Sequence, residues 1–170
     1  MRSLHETFSG RQHRSRAFTL VEIMVVVVII GLLAAAALPT YRHITMRSKM
    51  TAVVNDLRAY STALITYNLQ NGRWPADTAP QEIPPEMVGA LPKAFTMKTP
   101  IGGVYEWDYD VSPNGFYTKA AISIVGTSDY PMTDDLDLLE MIDREMDDGN
   151  LSTGNIRLGS TNALVFIIEQ

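Results

Sequence analysis

An almost continuous apolar segment, Phe18–Leu38, constrains this chain more than any other feature. As a helix rising about 1.5 Å per residue it would extend about 32 Å, which is enough to cross the hydrocarbon core of a bilayer. One acid, Glu22, lies near its start. A carboxylate in hydrocarbon costs roughly 2.5–3.5 kcal/mol, so Glu22 requires either a positive partner or a position from which it snorkels to the membrane surface.

Charge is distributed unevenly along the chain. Residues 1–17 carry a net charge of +3, so the remainder of a chain with −5 overall carries −8. Basic residues just before an apolar span stay in the cytoplasm, which places everything after Leu38 on the outer side of the membrane. An outer domain this acidic is a poor partner for nucleic acid, whose phosphates need clustered Lys and Arg.

Beyond Pro39 the apolar residues recur at spacings of three and four, as on one face of an amphipathic helix. They are Met50, Val53, Val54, Leu57, Tyr60, Leu64 and Tyr67. The pair Asn71-Gly72 is a typical C-terminal stop. The sequence therefore predicts one long helix from Phe18 to Gln70, bent or loosened near Gly31 or Pro39.

The middle of the chain has the pattern of a proline-rich loop followed by a β-hairpin. Residues 72–103 hold six of the nine prolines, which predicts a surface loop with one helical turn around Glu86–Ala90. In "VYEWDYDV" the aromatic residues alternate with acids, as in a half-buried strand. The sequence "SPNG" then turns the chain, and Phe116–Val125 is the predicted partner strand.

The C-terminal part predicts a short helix and a second hairpin. Thr133-Asp134-Asp135 supplies a cap and acids at the positive end of the helix dipole, and Gly149 ends the helix. The expected apolar stripe of this helix is Leu136, Leu139, Ile142 and Met146. Two strands follow across the turn "GSTN", at Asn155–Leu158 and Ala163–Glu169.

Strands joined by hairpins form an antiparallel sheet, and the amphipathic half of the long helix is the natural cover for its apolar face. The predicted fold class is α+β, with a long N-terminal helix packed on a small antiparallel sheet. The predicted segments are a basic leader (1–17), a membrane-spanning assembly helix (18–38), its amphipathic continuation (39–71) and an outer loop and sheet domain (72–170).

The run "FTLVEIMVVVVIIGLLAAAALPTY" after a basic leader resembles the start of type IV pilins and type II secretion pseudopilins. Phe18 opens the mature chain in that pattern, and Glu22, Gly31 and Pro39 lie at its matching positions. The resemblance implies that a prepilin peptidase cuts between Ala17 and Phe18 and methylates the new amine. The family usually has Gly before the cut, and Ala17 is expected to give slower or still adequate cleavage.

The resemblance also gives Glu22 a role in assembly. Cleavage before Phe18 creates an amine with a reference pKa of about 7.7–8, which is largely cationic at neutral pH. Glu22 of one subunit is expected to pair with that amine on a neighbour and so to fix the axial register of assembly. Gly31 allows close approach of helices in the membrane, and Pro39 marks the bilayer exit.

The residues present give little support to enzymatic chemistry. The chain has no Cys, and its three histidines are His5 and His13 in the leader and His43 at the membrane edge. The outer domain therefore lacks the groups for Ser-His-Asp or Cys-His catalysis and for most zinc sites. Alternating acids such as Glu106 and Asp108 are typical of a solvated strand face. We predict that the protein is not an enzyme.

Hard oxygen ligands crowd the end of the C-terminal helix, which makes this region a candidate calcium site. The candidates are Asp143, Asp147, Asp148 and Asn150, with Ser152 beside them. Major pseudopilins bind calcium in a C-terminal loop, so the resemblance favours a metal here. Helix termination and turn formation explain the same residues without a metal, and the EF-hand glycine and closing glutamate are missing. No other cofactor is predicted.

The resemblance implies a structural subunit that is held in the bacterial inner membrane, with its C-terminal domain outside the cytoplasm, and then assembled into a filament. Its expected partners are like subunits and other pilins, the prepilin peptidase and the secretion or pilus assembly machinery. The segments Tyr67–Pro75 and Thr99–Asp110 resemble a major pseudopilin more than a type IV pilin. The alternative is a secreted or merely anchored domain, cut by ordinary signal peptidase near Ala37 or Leu38.

Overall fold

A computed structural model describes residues 18–112, 117–159 and 163–170. The chain divides into two compact units, one ending at Tyr41 and the other running from Arg42 to Gln170. The predicted turns "SPNG" and "GSTN" fall largely on residues 113–116 and 160–162, which lie outside the described residues, as does the leader.

One helix, α1, runs from Leu20 to Asn71. It begins two residues later than predicted because Thr19 caps it, and it ends at the predicted stop, where Gly72 adopts a positive φ of 67°. Every residue in between is helical, including Gly31 and Pro39, so the loosening expected near these two residues is not seen in this conformation. The predicted long helix is confirmed.

The strands form one four-stranded antiparallel sheet. They are β1 (Val104–Val111), β2 (Thr118–Val125), β3 (Ile156–Leu158) and β4 (Leu164–Glu169), in the spatial order β1-β2-β4-β3. The two predicted hairpins are confirmed, and the pairing of β2 with β4 joins them. The open edge of β1 is partly covered by the preceding loop, where the Gln81 N–H donates to the Tyr105 carbonyl at 3.0 Å.

A second helix, α2, runs from Leu136 to Met146, with Asp135 as its cap. The Asp135 carboxylate accepts a hydrogen bond from the Leu138 N–H at 3.2 Å. The predicted apolar stripe was wrong at one end, because Leu136 is 54% exposed whereas Leu138 is buried. Asp135 caps α2 by accepting from the Leu138 N–H, and in the resulting first turn Leu138 rather than Leu136 faces the core.

Two short 3-10 helices lie in the proline-rich loop, at Pro85–Met87 and Lys93–Thr96. The first overlaps the predicted turn at Glu86–Ala90 but ends three residues earlier, and the second had no counterpart in the sequence prediction. Both carry a buried residue, Met87 in the first and Phe95 in the second. Packing of these side chains holds a segment with few regular hydrogen bonds.

The core lies between the second half of α1 and the sheet. The predicted helix face is confirmed, since Val53, Val54, Leu57, Tyr60 and Leu64 are all buried. At its centre the Tyr60 ring is 5.2 Å from Phe95 and 5.0 Å from Tyr105 between centroids, in edge-to-face contacts. The Tyr105 hydroxyl donates to Asp56 of α1 at 2.9 Å, which ties β1 to the helix.

Trp74 closes the far end of this core. Its ring lies 5.6 Å from that of Trp107 on β1, between ring centroids. The Trp74 indole N–H donates to the Glu169 carboxylate on β4 at 2.6 Å, and Lys119 pairs with the other oxygen of that carboxylate at 2.5 Å. Trp74, three residues after the end of α1, thereby contacts both β1 and the last strand.

Candidate assembly helix and acidic loop

The first turn of α1 places Glu22 at the positive end of the helix. The Thr19 hydroxyl accepts a hydrogen bond from the Glu22 N–H at 3.2 Å, and the Thr19 carbonyl accepts from the same group at 3.1 Å. Acids in a first helical turn are favoured by the helix dipole. Phe18, beside the predicted cleavage site, is 74% exposed, and Ala17 lies outside the described residues.

The apolar half of α1 has no protein cover in this structure. All described side chains from 18 to 38 are exposed, and this part of the helix is long and apolar enough to cross a bilayer by length and composition. At Gly31 no heavy atom lies within 4 Å of where a Cβ would be, so the helix surface is open there. The three predicted assembly residues lie at separate positions along α1 and do not form a pocket: Glu22, Gly31 and Pro39. Such a surface can associate with lipid or with other helices.

The predicted acidic candidates are brought together at the end of α2. Asp143, Asp147 and Asp148 each offer a carboxylate oxygen within 4.8 Å of the others. Asp143 is fully buried, and neither of its carboxylate oxygens forms a normal hydrogen bond with any described residue. A buried acid without partners is costly unless a proton or a cation satisfies it.

The loop that follows is held by the other two carboxylates. Asp147 accepts hydrogen bonds from the backbone N–H groups of Asn155 and Ile156, the latter at 3.2 Å. Asp148 accepts from the Asn150 N–H at 2.9 Å and from the Thr153 hydroxyl at 2.8 Å. These contacts fix the loop backbone around the acidic cluster.

Asn150, the fourth candidate, serves the turn itself. Its side-chain oxygen accepts from the Ser152 N–H at 3.1 Å. Turn formation, the alternative explanation of these residues, therefore accounts for Asp147, Asp148 and Asn150. It gives the buried carboxylate of Asp143 no role. The structure thus separates the four candidates into three clustered acids and one turn residue.

Burial and hydrogen bonding shift the pKa values of two acids of this loop, Asp143 and Asp148, in opposite directions. Burial raises the pKa of Asp143, the nearby Gly149 N–H opposes that shift, and the carboxylates of Asp148 and Asp147 add to it. The Thr153 hydroxyl, followed by the Asn150 N–H, lowers the pKa of Asp148. The cluster therefore combines an acid that resists ionisation with one that favours it.

The prediction that Glu106 and Asp108 form a solvated face was wrong for Asp108. This side chain is only 5% exposed, and it accepts a hydrogen bond from the Ser123 hydroxyl on β2. Burial raises the pKa of Asp108 to about 6, with the Ser123 hydrogen bond opposing and Asp77 adding to the shift. Burial also raises the pKa of Glu106 to about 7, followed by the charges of Asp108 and Asp77. The face of the sheet that carries Asp108 is therefore shielded from solvent around Asp108 and Ser123.

Some residues of these sites were missed by sequence reasoning. Thr19 was not recognised as a cap, although Thr three residues before Glu is the known signature of a helix start. Gly154 was not singled out, yet its φ is +71° and an added Cβ would overlap the Asp147 carboxylate. Nothing in the sequence marks Gly154 as different from other loop glycines.

Comparison with known proteins places the N-terminal segment in a defined class. Residues 12–38 match the prokaryotic N-terminal methylation motif. The fimbrial protein EcpC of Eikenella corrodens is 44% identical over 64 residues, and the type IV major pilin protein PilE1 of Neisseria gonorrhoeae is 38% identical over 60. These matches cover 38% and 35% of this chain but only 42% and 36% of those two proteins.

A longer match extends into the outer unit. The type II secretion system core protein G of Klebsiella michiganensis is 33% identical over 133 residues, which is 74% of this chain and 92% of that protein. The solved major type IV pilin PilA1 of Clostridium difficile shares the fold, with a TM-score of 0.52 and 17% identity over 75% of this chain and 98% of its own. The chain belongs to the family of type IV pilins and type II secretion pseudopilins, which confirms the resemblance.

The buried acids predict an unusual pH dependence of stability. Because the pKa values of Glu106 and Asp108 are about 7 and about 6 in the folded protein, the folded state binds more protons than the unfolded state from about pH 4 to pH 7. The free energy of unfolding should therefore fall as the pH rises through this range. Thermal melts of the full-length protein in detergent micelles with chelator should give a higher Tm at pH 5 than at pH 8.

Variants test which acid is responsible. Asp108→Asn should flatten this slope, whereas Asp129→Asn, at an exposed position, should leave it unchanged. A Tm that increases from pH 5 to pH 8 in the unsubstituted protein would contradict the assignment.

Proposed function

We propose that this chain is a structural subunit of a type II secretion pseudopilus, held in the inner membrane by residues 18–38 and then drawn into a filament. The observation that carries the proposal is an apolar helix half whose described side chains are all exposed and which lies within a methylation motif at residues 12–38. Assembly replaces lipid around that helix with the helices of like subunits. The outer unit, residues 42–170, then decorates the outside of the filament.

A pseudopilus is favoured over a type IV pilus by the extent of the matches. The core protein G of a type II secretion system matches over 92% of its length, whereas the pilin PilE1 matches over 36% of its own. The prepilin peptidase, other pilins and the assembly machinery are the proposed partners, and no catalytic role is proposed.

The proposed processing is cleavage between Ala17 and Phe18, with the outer unit on the periplasmic side. Cleavage there leaves Thr19 as the second residue, so the capped first turn of α1 would begin almost at the new chain end. The cationic amine of Phe18 is then brought beside the helix start of a neighbouring subunit, where Glu22 is exposed to receive it. Each charge offsets the other's loss of water in the apolar bundle.

A substitution at Glu22 tests this pairing. Glu22→Ala should still insert in the membrane but should assemble poorly, because a buried amine left without its partner typically costs about 3–5 kcal/mol. Insertion is measured by resistance to carbonate extraction and assembly by electron microscopy of sheared filaments. Val26→Ala, in the same segment but uncharged, should assemble normally. Filaments of normal number and length from Glu22→Ala would refute the role of this residue.

We further propose that the acidic loop holds calcium. Asp143, Asp147 and Asp148 would supply carboxylate oxygens, which are the ligands that calcium prefers. Support comes from the buried carboxylate of Asp143, beside which the described chain places the Gly149 N–H but no ion-pair partner. The cation would supply that missing charge and would fasten the end of α2 to the following loop.

Thermal melts decide the calcium proposal. Calcium should raise the Tm of the full-length protein relative to chelator, because a ligand that binds only the folded state stabilises it. Asp143→Asn should abolish this increase and should itself raise the Tm in chelator, since it removes a buried charge. Asp134→Asn, at an exposed position, should keep the response to calcium. Identical melts with calcium and with chelator would rule out the site.

A further inference from the structure

A basic groove lies between the second half of α1 and the end of α2, apart from the acidic loop. Its volume is about 320 Å³, and it is lined by His43, Arg47, Met50, Met141, Arg144 and Glu145. Two of the six lining residues, Arg47 and Arg144, are positively charged, in a chain whose residues beyond the leader carry a net charge of −8. Such a concentration of positive charge requires a reason.

The one acid in the basic groove is already paired. Arg58 lies 3.8 Å from the Glu145 carboxylate, and its guanidinium also donates to the Glu145 carbonyl at 3.3 Å. By contrast, Arg47 and Arg144 form no ion pair or hydrogen bond through their side chains with any residue that the structure describes. Two guanidinium groups thus line one groove with their donors free for an external anion.

The chain sequence keeps the basic groove close to the membrane. His43 and Arg47 follow Leu38 by five and nine residues, so even a fully extended chain could carry them no more than about 18 and 32 Å from the apolar segment. The negative surface of a bilayer that contains anionic lipid attracts Lys and Arg residues that lie close to it. The position favours a lipid over a soluble anion.

The two methionines of the basic groove are a second reason to expect a lipid there. Met50 and Met141 are half-buried, so the basic groove offers apolar surface beside its guanidinium groups. A phospholipid presents the same combination, because its phosphate adjoins a glycerol and acyl chains. Arginine is suited to phosphate since its planar guanidinium donates two parallel hydrogen bonds to the oxygens.

We propose that the basic groove binds the phosphate of an anionic phospholipid while the subunit waits in the membrane. This inference rests on the proposed membrane-held state. Arg47 and Arg144 would contact the phosphate, and the methionines would contact the glycerol region. Bound lipid would hold the outer unit against the bilayer surface before assembly.

Native mass spectrometry of the full-length protein, released from detergent micelles containing phosphatidylglycerol or phosphatidylcholine, tests the proposal. The protein should retain phosphatidylglycerol in preference to phosphatidylcholine. Each arginine near a headgroup contributes about 1 kcal/mol, so Arg47→Gln with Arg144→Gln should weaken retention by about 25-fold. Lys49→Gln with Arg73→Gln removes the same charge at exposed positions outside the groove and should change retention little. Melts of both double variants confirm that the fold is intact.

Each alternative outcome overturns the inference. Equal losses in the two double variants would mean diffuse attraction by surface charge. Displacement of the lipid by an equal concentration of soluble glycerol phosphate would mean a simple anion site. Retention of lipid by the groove variant, together with loss of crosslinking between subunits, would mean that the groove receives an acidic surface of another copy.

The membrane state is measured separately. If the protein is absent from carbonate-washed membranes, the proposed function fails. If it is present there but shows no preference for phosphatidylglycerol, only the inference about the basic groove fails.

Discussion

The exposed apolar half of α1 is the constraint on which the rest of this structure depends. Burying one large aliphatic side chain is worth about 1.5–3 kcal/mol, and the segment from Phe18 to Leu38 presents more than a dozen such residues without cover. This segment cannot persist in water. It must be surrounded either by lipid or by similar helices, and those two environments are nearly equal in apolar character.

That near equality explains why polar features matter in an apolar segment. When lipid and helix offer similar contacts, the hydrophobic effect cannot select a particular packing, so close approach and charge must do so. Gly31 leaves the helix surface open, and Glu22 lies at the capped start of α1, where the proposed pairing with a neighbouring subunit would act. In the second half of the same helix the hydrophobic effect does select the packing, because one face of the helix is buried in the core against the sheet.

Local patterns predicted most of this fold. The bounds of β1 were predicted residue for residue, and the end of α1 was predicted at Asn71-Gly72, because alternation and a helix stop are properties of neighbouring residues. The errors arose where contacts with distant parts of the chain determine burial or local structure. Asp108 is buried through Ser123 of another strand, and the turn at Lys93–Thr96 depends on Phe95 packing against Tyr60.

The candidate sites divide in the same way. The acids at the end of α2 were predictable because carboxylates close in sequence at a helix end stay close in space. The complete burial of Asp143 was not, since the local pattern of acids and turn residues does not show which of them is enclosed by the fold. The basic groove was equally invisible, because Arg47 and Arg144 come together only when α1 and α2 pack.

The mass of the mature protein in its native membrane tests the central claim most directly. The account holds that the apolar helix is retained and that the chain is opened at Phe18 to supply a cation for Glu22. It predicts an N-terminal peptide that begins at Phe18 and carries one additional methyl group. A chain still intact from Met1, or one that begins near Leu38, would contradict it.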